Sequence, residues 1–229
     1  MRAADIMTSS VVSVDPEMSI ANVAKLLAEK RISAVPVVDA ESHVVGIISE
    51  GDLLRRAEIG TERRGSWWLE LLGSNRELAD AYVKSHAKTV RDVMTKQVVT
   101  ASEFTSLADI AGLLEAHRIK RVPVTRNNKL VGIVSRANLV QALASAGQSA
   151  APGEVDDRAI RDRLMTELSR QKWADTSPGN IVVRDGVVHL WGYALSESER
   201  QALRVAAENV AGVKTIQDHT SKPPILPPM

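Results

Sequence analysis

The sequence repeats itself once within its first 145 residues, and this repeat constrains the fold more than any other feature. Asp5-Ile6-Met7-Thr8 recurs 87 positions later as Asp92-Val93-Met94-Thr95, and Val35-Pro36-Val37 recurs as Val122-Pro123-Val124. After one deleted residue the offset is 86, and Gly46-Ile47-Ile48-Ser49 corresponds to Gly132-Ile133-Val134-Ser135. A unit this small exposes an apolar sheet face, and two stacked units bury both faces. The repeat therefore predicts one module made of two similar halves.

Each copy has the same predicted order of elements, β-α-β-β-α. A short β-rich run, at 11–14 and again at 98–100, precedes a helix with apolar residues at i, i+3, i+4 and i+7. A second helix is predicted after Ser49 and after Ser135. The two apolar strands between the helices are predicted at 34–38 and 44–48 in the first copy, and at 122–125 and 130–134 in the second.

The rest of the chain contains a smaller domain with the predicted order α-β-β-α-β. A helix is expected at 157–173, and Asp185-Gly186 is a strong hairpin-turn signal. Ser196 and Glu199 have capping-box spacing before another helix, and a last strand is expected at 213–218. The fold class is therefore α+β. The predicted divisions are 1–65 for repeat 1, 66–90 for a helical connector, 91–145 for repeat 2, 146–155 for a linker, 156–221 for the small domain and 222–229 for a Pro-rich tail.

The segment from Gly46 to Asp52 carries the most specific chemistry in the first copy. It joins an apolar strand to a helix start, where free backbone N–H groups favour an anion such as phosphate. The Ser49 hydroxyl can donate to a phosphate, and the Asp52 carboxylate can accept from both hydroxyls of a ribose. The neighbouring strand Ile32-Ser33-Ala34-Val35-Pro36 could sandwich a purine. Alternatively, Ser49 and Asp52 form only a helix capping box, which the segment by itself favours. The repeat and the neighbouring strand shift the balance towards a ligand site.

The second copy differs from the first in charge. Asn138 replaces the acid, and it follows Ser135 at the same spacing. Ile119-Lys120-Arg121-Val122-Pro123 replaces the first copy's strand segment, so two cations stand where Ser33 and Ala34 stand. These cations could compensate at a phosphate, or they could be solvated charges that protect a sheet edge. We expect ribose binding in this copy to be weaker or differently tuned.

The paired pattern Asp-φ-Met-Thr, φ-Pro-Val and Gly-φ-φ-Ser-x-x-Asp/Asn, where φ is apolar, resembles tandem cystathionine-β-synthase-type (CBS) domains, or a Bateman module. The resemblance covers residues 1–145 in both copies. It implies clefts between the paired domains that bind AMP, ADP, ATP, NAD, S-adenosylmethionine or a similar ligand, and it implies a homodimer. Among these ligands we expect AMP, ADP or ATP before NAD or S-adenosylmethionine. It also implies that Asp52 and Asn138 contact the ribose, that Ser49 and Ser135 lie near the phosphate, and that 32–36 and 119–123 line the base.

The small domain resembles a BON domain through Val188-x-Leu190-x-Gly192 and Val210-x-Gly212-Val213. That family is associated with binding of phospholipids or proteins, so either is a possible partner. The resemblances together predict a signal-transduction regulator that senses an adenosine nucleotide and relays binding to the BON domain. The alternative is a ligand-free dimeric scaffold, or an adaptor that binds a membrane or a protein through the BON domain.

Composition and missing motifs limit the other functions. The net charge is +1, which gives no field to attract nucleic acid. The absence of cysteine fits a reducing cytoplasm, where we expect the protein because its N-terminus does not resemble a secretion signal. The five histidines have no metal-ligand spacing, and no catalytic motif occurs. We therefore expect no enzyme activity, no catalytic residues, no metal site and no required cofactor.

Overall fold

The structure is a computed structural model, and it describes residues 1–54, 56–61, 82–146, 156–174 and 179–222. Most of the predicted connector, linker and tail therefore lie outside the described residues. At the end of the predicted connector, residues 82–86 are helical. Within the described ranges, no helix combines the length and the apolar character needed to cross a membrane.

The described elements are named here in chain order, and a short 3-10 turn at Ala57–Ile59 is left unnumbered. They are α1 Ala3–Ile6, α2 Ile20–Lys30, β1 Ala34–Val38, β2 Val44–Ser49, α3 Glu50–Leu53, α4 Val90–Val93, β3 Ala101–Ser102, α5 Leu107–Ala116, β4 Arg121–Arg126, β5 Lys129–Ser135, α6 Arg136–Ala146, α7 Asp157–Ser169, β6 Asn180–Arg184, β7 Val187–Tyr193, α8 Glu197–Glu208 and β8 Thr215–Ser221.

These elements fall into two compact units that do not coincide with the sequence repeats. The first-repeat unit contains Val12–Val98 and Asn127–Leu130. The C-terminal unit contains Met1–Val11, Val99–Arg126 and Val131–Met229. The segment that opens repeat 1 in the sequence thus belongs to the unit built around repeat 2 and the small domain.

The first-repeat unit packs α2 against the antiparallel hairpin β1–β2. Ser19 begins α2 by accepting a hydrogen bond from the backbone N of Asn22, and Arg31 ends it in the left-handed conformation with φ 52°. The strand predicted at 11–14 is reduced to a single bridge between Val14 and Val37, so that prediction was too long. The core joins the helix face to the hairpin through Ile20, Val23, Leu27, Val35, Val37 and Ile48.

The second repeat has the same arrangement within the C-terminal unit. Ser106 caps α5 by accepting from the N of Asp109, and α5 contributes Ile110 and Leu114 to the core. The strand predicted at 98–100 is wrong, because the two-residue strand β3 lies at Ala101–Ser102 and pairs in parallel with β4. A strand of only two residues gives no periodicity to read, which explains the displaced prediction.

The small domain packs α7 and α8 against the sheet β6–β7–β8. The predicted turn holds Asp185 at φ 51° and Gly186 at φ 79°, as a two-residue type I′ hairpin requires. The Asp157 carboxylate accepts from the backbone N of both turn residues, at 2.7 and 2.8 Å. Helix α7 ends at Ser169, earlier than predicted, and β8 begins at Thr215, later than predicted. The α+β class predicted from the sequence is confirmed.

Candidate functional site

In the first copy, Ser49 and Asp52 are bonded to each other. The backbone N and the Oγ of Ser49 both donate to Asp52 Oδ2, at 2.9 and 2.8 Å. This is the geometry of the capping alternative, in which the acid folds back onto the residue before the helix. The carboxylate is half-buried and uses one oxygen in these two bonds, and a carboxylate has acceptor capacity on both oxygens. The cap therefore leaves Asp52 able to accept from a ligand hydroxyl.

The second copy repeats this geometry with an amide. The backbone N and the Oγ of Ser135 donate to Asn138 Oδ1, both at 2.7 Å. At its other end, Asn138 Nδ2 donates to Thr8 Oγ1 at 3.5 Å, and the residue is only 4% exposed. Asn138 is thus more enclosed than Asp52, and both ends of its amide have partners. The unequal copies expected from the sequence are unequal in burial as well as charge.

The strand segments next to these residues divide between the core and the surface. Val35 and Val122 are fully buried in their two cores, and Ala34, Pro36 and Pro123 are also buried. Ile32 and Ile119 pack at the edges of the same cores. Contacts from the buried positions to a base would come from backbone atoms. Ser33 and Arg121 are half-buried, and Lys120 is exposed.

A backbone hydrogen bond ties each strand segment to the helix that follows the site. Glu50 N donates to Ser33 O at 3.0 Å in the first copy, and Arg136 N donates to Lys120 O at 3.1 Å in the second. The two sites are therefore built on the same local backbone plan. The structure brings each copy's predicted residues together within its own unit.

The recurring Asp-φ-Met-Thr motif has a structural explanation that the sequence did not supply. Met7 packs on Gly132, and Met94 packs on Gly46, so closely that a Cβ at either glycine would overlap the methionine sulfur. Thr8 exchanges two backbone hydrogen bonds with Ile133, each 3.0 Å long. The absence of a side chain at Gly132 therefore makes room for Met7, and the absence of one at Gly46 makes room for Met94. Their joint recurrence was the signal that could have revealed this pairing.

Two arginines of α7 attach the small domain to the Asp5–Thr8 segment. Arg158 Nη2 donates to Asp5 Oδ1 at 2.7 Å. Arg161 Nη2 donates to Met7 O at 2.6 Å, and its Nε donates to Ile181 O at 2.9 Å. Arg161 is only 4% exposed, and burial lowers the pKa of its guanidinium. Such a buried charge is tolerated because both carbonyl oxygens solvate it.

Asn180 makes a third attachment from the first strand of the small domain. Its Nδ2 donates to Ile6 O and to Gln141 Oε1, both at 3.0 Å. Gln141 lies on α6, the helix that also carries Asn138. One short segment thus contacts the predicted ribose residue through Thr8 and the small domain through Asp5, Ile6 and Met7. No sequence pattern indicates this connection, because the bonded residues are far apart along the chain.

One cluster of side chains of the types that bind metals occurs at the β1–β2 turn, although the spacing of the histidines in the sequence predicts no metal site. Donor atoms of Asp39, Glu41 and His43 all lie within 4.8 Å of one another. Asp39 Oδ1 accepts from the N of Glu41 and of His43, and the bond from His43 lowers the pKa of the Asp39 carboxyl. These bonds explain the cluster as a turn, and we assign no metal to it.

Comparison with known proteins identifies the class of these domains. The CBS domain model matches residues 3–58 and 90–145, and the BON domain model matches residues 156–221. The chain therefore belongs to the CBS-domain family, with two CBS domains followed by a BON domain. The exact predicted boundaries and the assigned site residues stay predictions.

Two relatives and one solved structure place the chain within that family. It is 32% identical over 139 residues to CBSX2 of Arabidopsis thaliana, covering 56% of this chain and 57% of the relative. It is 31% identical over 154 residues to the uncharacterized protein MJ1426 of Methanocaldococcus jannaschii, covering 61% of this chain and 89% of that protein. The crystal structure of CBSX2 in complex with AMP aligns with a TM-score of 0.56 and 31% identity, over 64% of this chain and 99% of that structure. The chain spans 57% of the length of the first two curated relatives that it matches.

Proposed function

We propose that this protein is a regulatory sensor that binds an adenosine-containing nucleotide through its CBS domains. The observation that carries the proposal is the duplicated Ser-x-x-Asp/Asn geometry, which sits on the same backbone plan in both copies. The likeness to CBSX2, whose crystal structure contains AMP, supports the class of ligand. In this proposal Asp52 and Asn138 contact the ribose, and Ser49 and Ser135 lie near the phosphate. Neither an enzymatic activity nor a resident cofactor is part of the proposal.

Calorimetric titration of the purified protein with AMP, ATP, NAD and S-adenosylmethionine tests the proposal. We expect heat of binding with AMP or ATP. Asp52→Ala should weaken nucleotide binding by about tenfold, which corresponds to a lost charge-assisted hydrogen bond of roughly 1.5 kcal/mol. Asp109→Ala is the matched control, because Asp109 is likewise a carboxylate that pairs with a capping serine at a helix start, and it lies outside the predicted sites. Absence of heat with all four compounds would refute the proposal. Unchanged affinity in Asp52→Ala would show that Asp52 caps the helix without contacting the ligand.

We further propose that the BON domain receives the signal through the Asp5–Thr8 segment. A ligand that contacts Asn138 would compete with or reinforce its bond to Thr8. The same segment is held by Arg158, Arg161 and Asn180 of the BON domain. A shift of this segment would therefore change the bonds that attach the BON domain. These bonds support a relay within the C-terminal unit.

Hydrogen–deuterium exchange with and without AMP measures the relay. We expect nucleotide binding to change the exchange of amides in 3–8 and in 157–184. Arg158→Met removes the ion pair with Asp5 and should reduce the change in 157–184 without abolishing nucleotide binding. Exchange that changes only within 30–54 and 118–140 would contradict the relay and leave nucleotide binding in place.

We propose that the protein acts as a homodimer in the cytoplasm. Helix α6 presents Val140 at 64% exposure and Leu143 at 74% exposure, one helical turn apart, and contiguous exposed apolar side chains mark contact surfaces. The competing proposal is a scaffold or adaptor that works without nucleotide, with a protein or phospholipid bound to the BON domain. Co-sedimentation with anionic liposomes in the absence of nucleotide would favour that alternative.

A further inference from the structure

The two predicted nucleotide sites differ in charge at four pairs of equivalent positions around the Ser-x-x-Asp/Asn segment. The backbone bonds Glu50 N to Ser33 O and Arg136 N to Lys120 O fix the equivalence, because they join the same strand and helix positions in the two copies. Four pairs of positions therefore correspond, and the charge of the first set is −2 whereas that of the second is +3. The pairs are Ser33 with Lys120, Ala34 with Arg121, Glu50 with Arg136, and Asp52 with Asn138.

We infer that the second CBS copy binds an adenosine ligand with two or three phosphates, and that the first copy binds one with at most a single phosphate. The inference rests on the proposed nucleotide-binding function and goes beyond it by assigning a different ligand class to each site. It adds Arg136 to the binding residues predicted from the sequence.

The surface position of the charges allows them to act on a phosphate chain. Lys120 and Arg136 are both exposed and lie at the ends of one backbone hydrogen bond, so their side chains start from adjacent points. An AMP phosphate carries up to two negative charges, whereas ATP carries about four, so each nearby cation contributes more to ATP binding. Guanidinium also forms paired hydrogen bonds with phosphate oxygens.

The first copy opposes the same ligand. Glu50 stands where Arg136 stands and is exposed, and Asp52 adds a second carboxylate within the same turn. Two carboxylates beside a triphosphate would repel it, whereas they tolerate a ribose with no phosphate or one. The charged Asp52 thus favours a ligand with no phosphate or one, whereas the neutral Asn138 admits a ligand with two or three phosphates.

Calorimetry with AMP and with ATP in EDTA tests the assignment. For the wild type we expect two classes of ATP site that differ in affinity by at least tenfold, and a smaller difference for AMP. Arg136→Glu should weaken the tight ATP class by at least tenfold and change AMP affinity by less than threefold. The reciprocal Glu50→Arg should tighten the weak ATP class. Arg170→Glu is the control, because this exposed arginine at the end of α7 changes the net charge by the same amount.

The outcomes separate this inference from the function on which it rests. If AMP binds and Arg136→Glu leaves the ratio of ATP to AMP affinity unchanged, the assignment of phosphate load is overturned and the nucleotide sensor remains. If neither nucleotide binds the wild type, both are overturned. Lys120→Glu provides a second exposed variant with the same expected loss of ATP affinity, and circular dichroism confirms that each variant is folded.

Discussion

Arg161 offers the sharpest test of how the BON domain is attached to the Asp5–Thr8 segment. Arg161→Met keeps the aliphatic part of the side chain and removes the bonds to Met7 O and Ile181 O, at 2.6 and 2.9 Å. Bonds from a charged group contribute about 1.5–3 kcal/mol each. Relief of the buried charge, which is the cause of the lowered pKa of Arg161, offsets part of this loss. We expect the free energy of unfolding to fall by about 3 kcal/mol, or roughly 6–12 °C in Tm for a chain of this length.

Urea unfolding followed by circular dichroism and thermal melting measure this change. Arg163→Met is the matched control, because Arg163 lies on the same helix, is exposed, and makes only a 3.4 Å bond to Ala211 O. Its variant should change the unfolding free energy by less than about 0.5 kcal/mol. If Arg161→Met and Arg163→Met unfold within about 0.5 kcal/mol of each other, the two carbonyl bonds do not stabilise the C-terminal unit and the reasoning fails.

Three further predictions each concern the packing or exposure of a single residue. Gly46→Ala should lower the free energy of unfolding in urea by about 1–3 kcal/mol, because the added Cβ overlaps Met94. In Gly112→Ala the added Cβ meets nothing within 4 Å, so this control should not be destabilised, and equal effects in the two variants would contradict the packing argument. Burial lowers the pKa of His189 from 6.5, so the unfolded chain binds the proton at a higher pH than the folded chain. Tm should therefore fall as pH drops below 6.5, and His189→Gln should reduce that fall. Leu143→Glu should convert the proposed dimer to monomer in sedimentation velocity, and an unchanged mass would exclude α6 from the interface.

Much of the local structure was predictable because it depends on neighbours in the sequence. The apolar runs at 34–38 and 44–48 became β1 and β2 with nearly the same bounds. Asp185-Gly186 formed its turn because its backbone requirement is local. The short strands at 11–14 and 98–100 were misplaced, since their pairing depends on partners that periodicity does not show.

The sequence by itself determined the class of the candidate sites. The repeat placed Ser49 with Asp52 and Ser135 with Asn138, and it showed that the second copy exchanges an acid for an amide and gains cations. These facts concern residue type and spacing, which tertiary packing does not alter. The sequence alone left open whether Ser49 and Asp52 form a cap, and the structure shows the capping bonds while leaving acceptor capacity on the carboxylate.

Only the tertiary structure decided how the sites are connected to the rest of the chain. It placed Asp5–Thr8 beside the second copy, where Thr8 contacts Asn138 and Met7 packs on Gly132. It also buried Arg161 against the Met7 carbonyl, more than 150 residues away along the chain. Such contacts leave no periodic pattern in the sequence, because each depends on a single pair of distant residues that meet only when the C-terminal unit has folded.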